Sequence, residues 1–298
     1  MKTKGTQDKR RRIIQRAIAS GVMPLSQTVA RRGIAALNKR LVAETQTRYA
    51  ERKRAARESQ KMLAPLIKII RQDKSAMKAA QNVRRLTTHR KRPKITYPKA
   101  LQRVAPHVRS GSIIKFFGPP YDAEWGDHSN DASSFATKDP PEPRFDSTTR
   151  PGNGSAWSSA GVGKWFIPDG ESTWVRIGLY APYEYEWRVA STWETAHSDG
   201  FIAVYVQSFD FGGGDPRDEV DRRIGLWSEG SAWQQDHSDS GGGYYPSDTY
   251  FLASNARQYI IWAWCHTSAD DVSGRVVWSY ASGEIAVSLP WIVFEEWI

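Results

Sequence analysis

The spacing of apolar positions changes near residue 110. Before it, three stripes fall at helical spacing: Ile13, Ile14, Ala17 and Ile18; then Val29, Ile34, Leu37 and Leu41; then Leu66, Ile67, Ile70, Met77, Val83 and Leu86. Gly21 predicts the end of the first helix, Pro24 and Ser26 the start of the second, and Pro65 a kink or restart before the third. Between the second and third stripes, residues 45–61 are polar nearly all round, as in a helix that is exposed or pairs outside itself.

After residue 110, short β-branched and aromatic runs alternate with clusters of Gly, Pro, Asn, Asp and Ser. This predicts strands at 112–117, 162–167, 173–179, 183–193, 201–209, 224–233, 249–253, 258–266, 275–280, 285–289 and 291–294. Both alternating faces of 201–208 are apolar, which suits a central strand covered on each side. Residues 118–161 are long and polar, and read either as a functional loop or as a loop with one strand near 133–137. The fold expected is α plus all-β. A basic helical N-terminal arm (1–88) and a proline-rich basic linker (89–110) precede an antiparallel, jelly-roll-like β-sandwich (111–298).

A repeat runs through the second part. Trp187, Ser191, Trp193, His197, Ser198 and Asp199 map one for one onto Trp227, Ser231, Trp233, His237, Ser238 and Asp239 at an offset of forty residues. Trp125, His128 and Ser129 are a shortened echo. A β-trefoil also repeats at about forty residues but needs a full third copy. Each His-Ser-Asp triplet reads as a turn at a strand end.

Charge sharpens the boundary. Residues 1–110 hold 30 Lys and Arg against 5 Asp and Glu, a net of +25, and residues 111–298 hold 12 against 27, a net of −15; together they give the chain's +10. All 13 Trp and all 10 Phe lie in the acidic part, so that part alone can build a large aromatic core. The basic clusters Arg10, Arg11, Arg12 and Arg90, Lys91, Arg92, Lys94 are candidate anion contacts whose binding to a polyanion should weaken with salt. With only Tyr49 and Tyr97 available for stacking on bases, such binding is electrostatic rather than sequence-specific. The arm's stripes are narrow, and packing against copies of itself or against the second domain would complete them; a homo-oligomer is expected.

The single cysteine, Cys265, excludes an intrachain disulfide and a Cys-based zinc cluster, and its apolar surroundings predict a buried small hydrophobe. Gln15 and Arg16 interrupt any apolar signal core, and no run reaches the roughly 18 apolar residues of a membrane span. The compartment stays open. Neither a Gly-x-Ser-x-Gly elbow, a complete phosphate loop nor a His-Glu-x-x-His helix is present, so no enzymatic activity and no cofactor are expected. His128, His197 and His237 each precede a serine and could converge on a metal, although capped turns are the commoner arrangement. The acidic run Asp215, Asp218, Glu219 and Asp221 does not fit a calcium-binding helix–loop–helix and has Arg217, Arg222 and Arg223 to neutralise it.

Most aromatic rings must be core. The duplicated Trp187, Trp193, Trp227 and Trp233 are the ones that could instead form platforms for sugar rings, with His197, Asp199, His237 and Asp239 beside them as hydrogen-bonding groups. In addition, Pro182-Tyr183-Glu184-Tyr185-Glu186-Trp187 resembles the Pro-Tyr-Asp-Tyr-x-Trp segment on the membrane-facing rim of actinoporin-type pore formers, and the resemblance implies membrane activity. The leading expectation is a non-enzymatic structural protein that self-associates through its arm. It would be organised like small viral coats, with a basic arm on nucleic acid and a jelly roll outside. A glycan-binding module and a pore-forming protein are the alternatives.

Overall fold

A computed structural model of the chain describes residues 8–9, 12–16, 27–70, 72–75, 77–78, 112–140, 143–152, 154–191, 195–231, 235–245, 248–272 and 279–297. The linker 89–110 and the candidate residues Arg10, Arg11, Arg90, Lys91, Arg92, Lys94, Trp193 and Trp233 lie outside these. Among the described residues one long helix, α1 (Gln27–Ile70), is followed by fourteen strands. These are β1 (Ser112–Phe117), β2 (Ala123–His128), β3 (Ala132–Thr137), β4 (Arg144–Thr149), β5 (Gly154–Phe166), β6 (Thr173–Tyr180) and β7 (Pro182–Ser191). Then come β8 (Ala196–Phe209), β9 (Arg217–Ser231), β10 (Gln235–Tyr244), β11 (Asp248–Ala253), β12 (Gln258–Asp271), β13 (Ser279–Ser288) and β14 (Trp291–Trp297).

The strands pair antiparallel in three sheets, ordered β2-β5-β12-β8-β9, β10-β7-β13-β4-β3 and β1-β14-β6-β11. The first sheet is the centre of the molecule because it is apolar on both faces. On one face Val162, Phe166, Ile202, Val204, Val206 and Ile261 pack against the other two sheets, through Val175, Ile177, Phe251 and Phe294 of one and Phe145, Val189, Ile285 and Val287 of the other. On the opposite face Trp125, Trp165, Tyr205, Ile260, Trp262 and Trp264 lie beneath Ala30, Ile34, Leu37 and Leu41 of α1. The fold is therefore an antiparallel β-sandwich with a helix laid on its outside.

The period-two alternation of β8 and β12 sends every second side chain to each face, as expected of a doubly covered strand. The second apolar stripe of α1 is spent on this sheet. Burying Ile34, Leu37 and Leu41 contributes about 1.5–3 kcal/mol each. Helix and sheet approach so closely that a Cβ on Gly33 would stand 1.7 Å from the Gln207 side chain.

Three elements differ from the sequence reading. The polar stretch 118–161 contains β2, β3, β4 and the start of β5. Its strands bury Ser147, Thr149, Ser158 and Ser159 where apolar residues would have signalled a strand, and Ser147 Oγ is satisfied by donating to Ser158 O at 2.8 Å. The Gly-rich β10 reads as loop because it is an exposed edge strand with no face to bury. Finally, α1 passes through Pro65 without ending. The carbonyl deprived of its donor is that of Lys61, an exposed residue, so it can turn to solvent.

Candidate functional site

The seam between α1 and the central sheet is crossed by several polar contacts. Arg31 Nε donates to Glu124 O at 2.8 Å, Arg40 pairs with Asp218 at 2.8 Å, and Arg52 forms a short ion pair with buried Asp270. Between helix and sheet lies a cleft of about 810 Å³, lined by Glu44 and Arg48 of α1, Asp199 and Phe201 of β8, Trp227 of β9 and His266 of β12. That volume suits a small-molecule ligand.

Asp199 is the hub. His197 Nε2 lies 3.0 Å from its Oδ1, Ser228 Oγ donates to the same oxygen at 2.7 Å, and Arg48 stands 3.8 Å from Oδ2. Burial pushes the Asp199 carboxyl up, but His197, Ser228 and Arg48 together outweigh it and bring the group to about 2. It is ionised at any physiological pH.

His266 forms the cleft floor at the end of a directed hydrogen-bond chain. Asn38 Nδ2 donates to Asp127 Oδ2 at 3.3 Å, and Ser159 Oγ donates to Asn38 Oδ1 at 2.7 Å. Ser159 has only one proton, so His266 Nδ1, 2.7 Å away, must be the donor to Ser159 Oγ, which leaves Nε2 as an acceptor. The ring stacks on Phe201 at 5.2 Å, and Arg223 covers the other ring of that pair, 5.5 Å from the Phe201 centroid. Burial, only partly offset by Asp199, holds His266 down at about 3, so it stays neutral.

A pH dependence follows. Unfolded, His266 binds a proton near pH 6.5; folded, it does not do so until about 3. Its contribution is therefore complete above about pH 6.5 and falls as the pH drops, by about 1.4 kcal/mol per unit once the unfolded form is charged. Asp199 acts lower: its folded value of about 2 against 3.8 means its contribution is lost between about pH 4 and 2. Denaturant midpoints measured from pH 7.5 to 4.5 should decline in the wild type and flatten in His266→Gln; a flat wild-type profile would refute the assignment.

The predicted site residues divide between two places. His197, Asp199 and Trp227 meet at the cleft, whereas His237 and Asp239 stand exposed on edge strand β10. Trp187 and Trp227 are each 7 % exposed and belong to the main core, with Trp227 Nε1 donating to Ser198 Oγ at 2.9 Å and its ring stacked on Tyr185 at 5.6 Å. Rings this covered offer no stacking platform.

The repeat has a topological meaning. Copy one passes from the second sheet to the first (β7 to β8), and copy two passes back (β9 to β10). In the ladders Trp187 faces Asp239, while Trp227 faces Gly200, one residue from Asp199. The two crossovers are thus related by a near two-fold, one residue out of register. The triplets lie inside strands rather than in turns, and α1 covers only the first. A Cβ on Gly200 would stand 2.1 Å from the Trp227 ring, so glycine is required where that ring crosses.

Arg48, His266 and Phe201 escaped sequence reasoning, because α1 and β12 are brought to β8 only by the tertiary fold. His128 bonds Ser134 Oγ at 3.0 Å, and among the described residues no group of three His, Cys, Asp or Glu side chains is arranged to hold a metal. In the acidic run Asp215 is paired with Arg217 at 2.7 Å and Arg257 at 2.8 Å, and Asp221 with Arg223 at 2.6 Å. Segment 182–187 runs within β7, flanked by β10 and β13. No described helix is long and apolar enough to cross a membrane.

No protein-family model matches the chain, and no curated protein does. Among solved structures it is similar to that of infectious bursal disease virus, Gx strain, at 10 % identity and a TM-score of 0.18, over 67 % of this chain and 42 % of that one. A study of carbohydrate-binding modules from the β-sandwich superfamily supplies another, at 10 % identity and a TM-score of 0.21, over 61 % and 56 %. A module solved with β-1,4-galactotriose matches at 10 % identity and a TM-score of 0.19, over 57 % and 86 %. The chain spans less than half of the viral protein's length. Scores this low carry no information about function.

Proposed function

We propose that the protein is a non-enzymatic structural protein that self-associates and gathers a polyanion on its basic N-terminal part while its sandwich forms the outer body. The observation that carries this reading is the two-sidedness of α1. Its apolar side is fixed to the tryptophan-rich sheet, and its other side exposes Arg32, Lys39 and Arg54. A polyanion held there is held in a set orientation to the sandwich. The segregation of +25 in residues 1–110 from −15 in the remainder supports the same division of labour.

The cleft supports the non-enzymatic part. Ser228 gives its proton to Asp199 rather than to an imidazole, and Ser159 is buried with its proton on Asn38, so neither is a base-activated nucleophile. The cleft favours a second reading, a neutral hydroxyl-rich ligand such as a sugar. Its Asp199 carboxylate and neutral His266 are acceptors, Arg48 and Arg223 are donors, and partly buried Phe201 lines the wall.

Light scattering with the 260/280 nm absorbance ratio, at low and high salt, separates the two. The assembly reading predicts a multi-copy particle carrying nucleic acid that salt strips away. A salt-insensitive monomer free of nucleic acid, with tryptophan fluorescence quenched by neutral oligosaccharides, would overturn it in favour of the cleft ligand.

A further inference from the structure

Two apolar surfaces stand exposed among the described residues. The first is the end of α1. Met62, Leu66 and Ile69 recur at i, i+4 and i+7 on one helical face, with Met62 76 % and Ile69 65 % exposed, and Lys61 and Lys68 follow one flank of that stripe.

The second is the outer face of the β1-β14-β6-β11 sheet. Its registers set side chains in rows: Ser112, Trp297, Trp174 and Leu252; Ile114, Glu295, Arg176 and Tyr250; Phe116, Val293, Gly178 and Asp248. Trp174 is 51 % and Leu252 54 % exposed, and Tyr250 rests on Trp297 at 5.6 Å. Arg176 is tied down in the centre by Glu295 at 3.0 Å and Asp248 at 2.8 Å. An exposed aromatic patch of this kind marks a contact surface.

We propose that the end of α1 in one copy docks on this sheet face in a second copy, an inference that rests on the self-association reading above. Docking within one chain is excluded by the fold, because α1 lies on the outside of the central sheet while the aromatic face lies across the core from it. The dimensions agree. Residues 57–70 make a rod of about 21 Å, enough to cross four strands spanning roughly 14 Å. The charges agree as well: Arg57, Lys61 and Lys68 would meet a part of the chain, residues 111–298, that carries a net −15 and exposes Glu171 beside Trp174. Since the two surfaces differ, the contact is head-to-tail, and repetition generates rings, shells or filaments rather than a closed dimer.

A mixing experiment on the nuclease-treated full-length protein tests this. A helix variant, Met62→Glu/Leu66→Glu, and a face variant, Trp174→Glu/Leu252→Glu, alter exposed positions, and both should keep the far-UV circular dichroism of the wild type. The wild type should associate, while each variant alone should sediment at the monomer mass of 33.7 kDa. Mixed in equal amounts, they should give a species of twice that mass, because one intact helix can meet one intact face. A mixture that stays monomeric while the wild type associates, or a face variant that still associates through its helices, overturns the docking and leaves the assembly reading standing. A wild type that is itself monomeric overturns both.

Discussion

Replacing Trp262 with alanine is expected to lower the unfolding free energy by roughly 3–5 kcal/mol. Trp262 is fully buried in the middle of β12, on the face that receives Ile34, Leu37 and Leu41. Its ladder neighbours are Gly163 on one side and Tyr205 on the other. Gly163 has no side chain with which to refill the space, so truncation leaves a cavity directly beneath the helix. Trp174→Ala, on the exposed outer sheet, removes the same ring and, in protein dilute enough to be monomeric, should cost within about 0.5 kcal/mol. Guanidinium unfolding followed by far-UV circular dichroism reads both. Equal costs for the two variants would mean that α1 does not seal the Trp262 face.

The seam's ion pairs give the second large effect. Arg52→Ala should cost roughly 3 kcal/mol, the low end for a broken buried pair, since Arg52 retains 24 % exposure while Asp270 has 2 %. The penalty comes mainly from stranding a carboxylate in the seam. Burial already raises Asp270 above its ordinary value, with Arg52 pulling it back, so the variant's deficit should shrink as the pH falls and the carboxyl protonates. Arg40→Ala breaks a pair whose side chains are 60 % and 44 % exposed and should cost under about 1 kcal/mol. Unfolding free energies at pH 7 and pH 4.5 for both variants check the contrast. A smaller loss for Arg52 than for Arg40 would contradict the burial argument.

The sandwich was legible where burial follows a simple period. β8 and β12 announce themselves because both faces are apolar, and Cys265, read as a small hydrophobe, is fully buried in β12. Strands that bury hydroxyls, such as β4, or bury nothing, such as β10, leave no such signal. The helical stripe from Val29 to Leu41 was visible, but its partner was not: nothing local says whether a narrow stripe meets another copy or a sheet 100 residues downstream. The tryptophans of that sheet were counted correctly as core material, yet Trp165, Trp262 and Trp264 bury indole nitrogens that have no partner, a cost offset by ring area only because α1 covers them. The repeat marks two sheet crossovers, and its triplets lie inside strands rather than in the strand-end turn that the pattern predicts. The triplets continue as strands because each opens the strand that follows a sheet crossover. The cleft was half legible. His197, Asp199 and Trp227 were marked by the repeat, whereas Arg48 and His266 are ordinary residues until the fold assembles them around Asp199.

Everything proposed here depends on α1 being an integral layer of the sandwich rather than a free arm. Hydrogen–deuterium exchange on the full-length protein tests this directly. Amides between Ala30 and Thr45 should be protected to the same degree as those of β8 and β12, because the helix can open there only by uncovering the tryptophan face. Exchange of that segment at the rate of an isolated helix, with the strands still protected, would contradict the account.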